Sequence, residues 1–124
     1  MTKEVEAIVD AFNGAINRRD LEGLSRLMTS SHRFVDSAGG AVSGKWACLD
    51  AWWGFFSAFP DYRNQFDRMI ATGNKVVILG TSTCPDHRLA GPVLWQATIS
   101  AHLVDEWRVF EDTPANRIIL GIPV

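Results

Sequence analysis

Apolar positions recur at helical spacing twice near the start of the chain. Val5, Ile8, Val9, Phe12 and Ile16 lie three or four residues apart, with Thr2 placed to cap the start and Arg18, Arg19 and Asp20 closing the segment. This predicts a helix of about four turns with one apolar face. Leu21, Leu24, Leu27 and Met28 repeat the spacing over a shorter helix that Asp20 can cap, and the run Thr29, Ser30, Ser31 ends it. His32 to Asp36 then reads as a short strand, and Ser37 to Gly40 as the turn into a second short extended piece ending at Gly44. Lys45 to Phe59 predicts a third helix. Its Trp46, Trp52, Trp53, Phe55, Phe56 and Phe59 wrap most of the circumference, so cover is expected on more than one side. Pro60 stops it.

The remaining pattern has period two. Strands are expected over Arg63 to Thr72 and Lys75 to Cys84, meeting at Gly73-Asn74, and a second hairpin over Val93 to Asp112 with a tight turn near Ala101 and His102. Simple alternation puts Leu94, Gln96, Thr98, Leu103, Trp107, Val109 and Glu111 on one face of that hairpin. The other face takes Val93, Trp95, Ala97, Ile99, Val104, Phe110 and Asp112, with Glu106 and Arg108 interrupting it. Both faces are apolar, so both need cover or one encloses something. In the tail from Thr113 to Val124, Ile118, Ile119, Leu120 and Ile122 are expected to dock on the body. Helices followed by strands imply an α+β fold: three N-terminal helices packed on a strongly curved antiparallel sheet, a cone with an internal pocket closed by the aromatic helix. At 124 residues, a single domain over 1–124 is expected.

Charge narrows the partners. A net charge of -2 leaves no electrostatic footprint for nucleic acid or an anionic membrane. Acidic residues interrupt the first apolar stretch, and no apolar run approaches the roughly 18 residues of a spanning helix; a cytoplasmic location is expected. Cys48 and Cys84 stand far apart without a CxxC and read as buried thiols. His32, His87 and His102 lack ligand spacing, so no metal is expected. Phosphate-binding glycine motifs and a nucleophile elbow are also missing from the sequence, and no cofactor is expected.

Several tracts in this order carry a family resemblance: RRDLEGLSRLM, RFVDSAGGAVSG, FPDYRNQFDRM, GTST and DEWRVFEDTPANRIIL. Together they resemble the SnoaL-like branch of the nuclear transport factor 2-like superfamily, which includes polyketide cyclases, ketosteroid isomerases, limonene epoxide hydrolases and non-catalytic domains. The resemblance implies a cystatin-like roll, a small apolar organic ligand in the pocket and a homodimer formed through the sheet. It leaves the reaction open, because this fold hosts many functions.

Three carboxylates are the candidate catalytic residues. Asp36 ends an apolar strand before a glycine-rich turn, and its position resembles that of the isomerases' general base. Partial desolvation there would suit it to proton abstraction, whereas a purely local role would have it bond the turn amides. Glu111 and Asp112 resemble the cyclases' acidic residue after the strand tryptophan; the plainer reading pairs one of them with Arg108 or Arg117. Phe12 stands where the isomerases place an oxyanion-donating tyrosine and has no proton to donate. Phe12, Trp53, Phe56, Trp95 and Trp107 are candidate ligand contacts, and His87 a polar contact at the mouth. Three functions remain open: a cofactor-free isomerase, cyclase or hydrolase working by carboxylate acid/base chemistry; a non-catalytic ligand-binding or dimerisation module; or, by fold analogy alone, a protein-transport adaptor like nuclear transport factor itself.

Overall fold

The structure is a computed structural model that describes residues 2–123, excluding the Thr2 side chain. The cap expected at Thr2 and the end of the tail at Val124 therefore lie outside the described residues. Helix α1 spans Thr2–Arg18 and buries Val9, Phe12 and Ile16, the stripe its spacing requires. Arg19 takes a positive φ of 56° to turn the chain, and the Asp20 side chain accepts the Gly23 amide at 2.9 Å to cap helix α2, Leu21–Leu27. No loop follows. Strand β1 begins at Met28 and runs to Val35, so Met28 and the Thr29–Ser31 run, expected to finish the helix, are already extended. Thr29 and Ser31 donate instead to the Asp105 carboxylate at 2.7 and 3.0 Å, a partner distant in sequence.

Strand β2, Ala41–Ser43, precedes helix α3, Lys45–Ala58, which buries Cys48, Trp52 and Phe56. Cover comes from more than one side, with β1, β2 and α2 all packed against α3, but Trp46 and Trp53 lie outside it, 74% and 64% exposed.

Strands β3 (Arg63–Thr72), β4 (Lys75–Thr83), β5 (Gly91–Ser100) and β6 (Leu103–Glu111) complete a six-stranded sheet of order β2-β1-β6-β5-β4-β3. The sheet is mixed rather than antiparallel throughout, because β1 runs parallel to β6. A hairpin fixes direction for strands adjacent in sequence; β1 and β6 have most of the chain between them and carry no such constraint.

Two bulges bend the sheet around the helices. In β3 the pairing passes from Phe66↔Gly80 to Arg68↔Leu79, leaving Asp67 as the extra residue. In β6 it passes from Ile99↔Val104 to Thr98↔Glu106, leaving Asp105 extra. A bulge increases local twist and re-aims the residues beyond it. The β5–β6 turn is the expected tight one, with φ of 51° at Ala101 and 64° at His102. Beyond Asp105, however, the faces exchange: Ala97 pairs with Trp107, Trp95 with Val109 and Val93 with Glu111. Simple alternation had put Trp107, Val109 and Glu111 with Leu94. The bulge moves them to the concave face beside Trp95.

The concave face and the first three helices share one core that contains Phe12, Trp52, Trp95 and Trp107. On the convex face, Val77, Leu94 and Ile122 form a second cluster under the tail. Thr113 caps helix α4, Pro114–Ile119, through the Asn116 amide at 3.1 Å. Ile122 docks as expected and Leu120 is half-buried, but Ile118 and Ile119 are 76% and 72% exposed. A short helix held by one edge presents those two side chains outward.

Candidate functional site

A cavity of about 350 Å³ opens between α3 and the concave face of the sheet. Helix α3 contributes Cys48, Ala51, Trp52 and Phe55; β1 contributes Phe34, with Asp36 just beyond its end; β5 and β6 contribute Trp95, Trp107 and Val109. Aromatic packing holds the walls in place. Phe66 lies 5.2 Å from Trp95, and the Trp52 ring meets Phe34 edge-on at 5.7 Å.

Besides Asp36 and Ser37, the polar side chains of the wall are Tyr62 and Asn64 at the start of β3. Ser82 Oγ donates to Asn64 Oδ1 at 2.8 Å, and the Tyr62 hydroxyl lies 3.1 Å from Ser82 Oγ. A serine has one proton to give, so the Tyr62 hydroxyl is the donor to Ser82. Burial pushes the Tyr62 phenol above its ordinary pKa and keeps it neutral. Asn17 Oδ1 accepts the Asn64 amide at 2.8 Å, and the Arg19 guanidinium donates to the Tyr62 carbonyl, so α1 fixes this corner. The Trp52 Nε1–H is buried and has no partner among the described residues.

Asp36 lies on the cavity wall, and its Oδ1 accepts the Ala38 and Gly40 amides at 2.9 and 2.8 Å. This is the turn-bonding role open to an aspartate before glycines. It also leaves Oδ2 without a hydrogen-bond partner among the described residues. Glu111 is exposed and lines a second depression beside the first, shared with Arg88 and Asp112 and joined to the cavity through Ser37, Tyr62, Leu89 and Val109. Asp112 is held by Arg117 through two bonds of 2.7 and 2.9 Å, and the guanidinium lowers its carboxyl pKa.

Of the candidate ligand contacts, Trp95 and Trp107 are on the wall. Phe12 is fully buried 4.7 Å from Trp107, behind the wall rather than on it. Phe56 packs on Trp52 from the far side at 5.4 Å, and Trp53 points outward. Exposed His87 begins the 3-10 turn His87–Leu89, whose Leu89 reaches the cavity in its place. Sequence reasoning missed Trp52, Tyr62, Asn64 and Ser82 as site residues. A signal existed for Ser82, because alternation through Val76, Ile78 and Gly80 places it on the core face. Tyr62 is the chain's one tyrosine, beside the Pro60 stop. Among the described residues, no cluster of three or more His, Cys, Asp or Glu is placed to hold a metal ion, and no helix is long and apolar enough to cross a membrane.

The SnoaL-like domain matches residues 6–114, spanning every element that lines the cavity. The chain belongs to the SnoaL-like family. Among solved structures, a Mycobacterium tuberculosis epoxide hydrolase of the LEH-like kind has a TM-score of 0.79 at 15% identity, covering 98% of this chain and 90% of its own. A cystatin-fold protein from Novosphingobium aromaticivorans has a TM-score of 0.76 at 16% identity, with 87% and 97% covered. TerC, co-crystallised with polyporic acid, has a TM-score of 0.76 at 17% identity, with 95% and 98% covered. At these identities the likeness concerns the fold, the roll shared by cystatin-like and nuclear transport factor 2-like proteins. No curated protein matches the sequence.

Proposed function

We propose that this SnoaL-like protein binds one small apolar ring compound in the cavity under α3. The observation that carries the reading is the cavity itself: about 350 Å³ remains open inside walls of packed aromatic rings. Pockets of this size and lining suit small organic ligands, with a few polar groups fixing orientation. Here Asp36, Tyr62 and Asn64 supply those groups, and the unpartnered Trp52 N–H is a further donor for a ligand oxygen. TerC, with the same fold, was crystallised with polyporic acid, which accords with this reading. Calorimetric titration with a neutral bicyclic alcohol, 1-naphthalenemethanol, is expected to show one site per chain. Ala51→Trp, an exposed wall position that can accept bulk, is expected to abolish it without loss of folding. Equal binding by the two proteins would refute the proposal.

A second reading adds cofactor-independent proton transfer, with Asp36 as the base. The unbonded Oδ2 favours it; against it stand Phe12 behind the wall and Asp112 committed to Arg117. Asp36→Asn would abolish any turnover found by substrate screening if Asp36 is that base.

We also propose that two copies associate through the convex face, where Ile70, Leu79 and Phe110 are half-buried beside the docked tail. Sedimentation at micromolar concentration is expected to give a dimer. A species of 13.8 kDa alone would exclude this interface.

A further inference from the structure

The charges around the cavity are lopsided once ion pairs are removed. Asp36 is the charged residue on the cavity wall; neither lysine nor arginine lines it. In the adjoining depression, Arg88 gives Nε and Nη2 to the two Asp86 carboxylate oxygens at 3.0 and 2.6 Å, and Asp112 is held by Arg117. Glu111, the remaining acid there, has no ion pair among the described residues. The unpaired charge available to a ligand is thus two carboxylates and no cation.

The walls point the same way. Aromatic faces carry negative π density and attract cations, and a cation set among several rings beside a carboxylate is held by both. Phe34, Trp52, Phe55, Tyr62, Trp95 and Trp107 provide the rings, and Asp36 Oδ2 provides the acceptor. An anionic ligand in the same space would face two like charges and no counter-ion.

We propose that the cavity selects ring compounds bearing a protonated amine, with the ammonium paired to Asp36 and the ring among the aromatic walls. This rests on the reading of the cavity as a small-molecule site. The two are separated by titrating an isosteric set, 1-naphthylmethylamine, 1-naphthalenemethanol and 1-naphthoate, at neutral pH and low salt.

The amine is expected to bind about tenfold tighter than the alcohol and the acid at least tenfold weaker. Asp36→Asn is expected to lower the amine-to-alcohol ratio several-fold, leaving the share that the rings supply. Added salt should shrink the same ratio in the unaltered protein, since Asp36 is exposed. An amine no tighter than a bound alcohol overturns the selectivity and spares the cavity reading. A preference unchanged by Asp36→Asn also overturns the proposal. Failure of all three probes to bind overturns both readings.

Discussion

Replacing Gly80 with alanine is expected to destabilise the protein by about 3 kcal/mol, read as a lower denaturant midpoint at unchanged slope. A Cβ at Gly80 would lie 2.1 Å from the Gln65 carbonyl oxygen and 3.1 Å from the Trp95 ring. The carbonyl belongs to a paired strand and cannot swing aside as a side chain would. Gly80 pairs with Phe66 next to the extra residue Asp67, where the sheet bends. The substitution therefore either opens this ladder or flattens the bend, and both shift Trp95 on the cavity wall. Gly54→Ala is the matched control. Gly54 is helical with nothing within 4 Å of its Cβ position, so alanine there is expected to stabilise by up to about 1 kcal/mol. Equal effects at the two positions would dismiss the close approach as the cause.

Acidification through the histidine range is expected to weaken the fold by up to about 1.4 kcal/mol per pH unit, through His32. His32 is fully buried, 5.7 Å from Phe12, and its Nδ1 is 2.7 Å from the Val104 carbonyl. That bond lies where the β1–β6 ladder slips, between Met28↔Val104 and Arg33↔Glu106, so the ring bridges a stretch where the backbones are out of step. A carbonyl can only accept, so Nδ1 carries the proton; Nε2 is buried without a partner. Burial lowers the His32 pKa below 6.5, outweighing the opposing pulls of the Val104 bond, Asp105 and Glu106.

The unfolded chain then takes up this proton at higher pH than the folded one. Stability from His32 is complete above pH 6.5 and is lost as pH falls from there toward the lowered folded value. His32→Gln should lose stability at pH 8 and lack this limb. Asp112 acts separately: its pKa is lowered from 3.8, so its pairing is lost only below that value. An unaltered slope between pH 7 and 5 in His32→Gln would remove His32 as the source.

Helical stripes were legible because a helix buries residues by a fixed local period, and Phe12, Ile16 and Leu24 are buried as their spacing requires. The Gly73-Asn74 turn, the Asp20 cap and the Ala101–His102 turn were legible for the same local reason. Trp52 and Trp53 show the limit. They are neighbours of one residue type; one lines the cavity and the other faces outward, and a helix that is apolar all round does not reveal which side meets the sheet. Asp36 could be read as a cavity carboxylate or a turn residue, and it occupies both positions.

What this sequence determines by itself is the three N-terminal helices, the main strands, their order and, through the linked motifs, the family, because each depends on residues close together in the chain; helix α4 in the tail and the 3-10 turn at His87 were not read from it. Tertiary structure decided the facing of the strands and the composition of the cavity. One extra residue, Asp105, carries Trp107, Val109 and Glu111 to the concave face, and another, Asp67, bends the sheet over Gly80. A bulge is specified by what both strands and their neighbours can pack and bond, such as Thr29 and Ser31 on Asp105, and those partners lie some 75 residues away, at separations of 76 and 74.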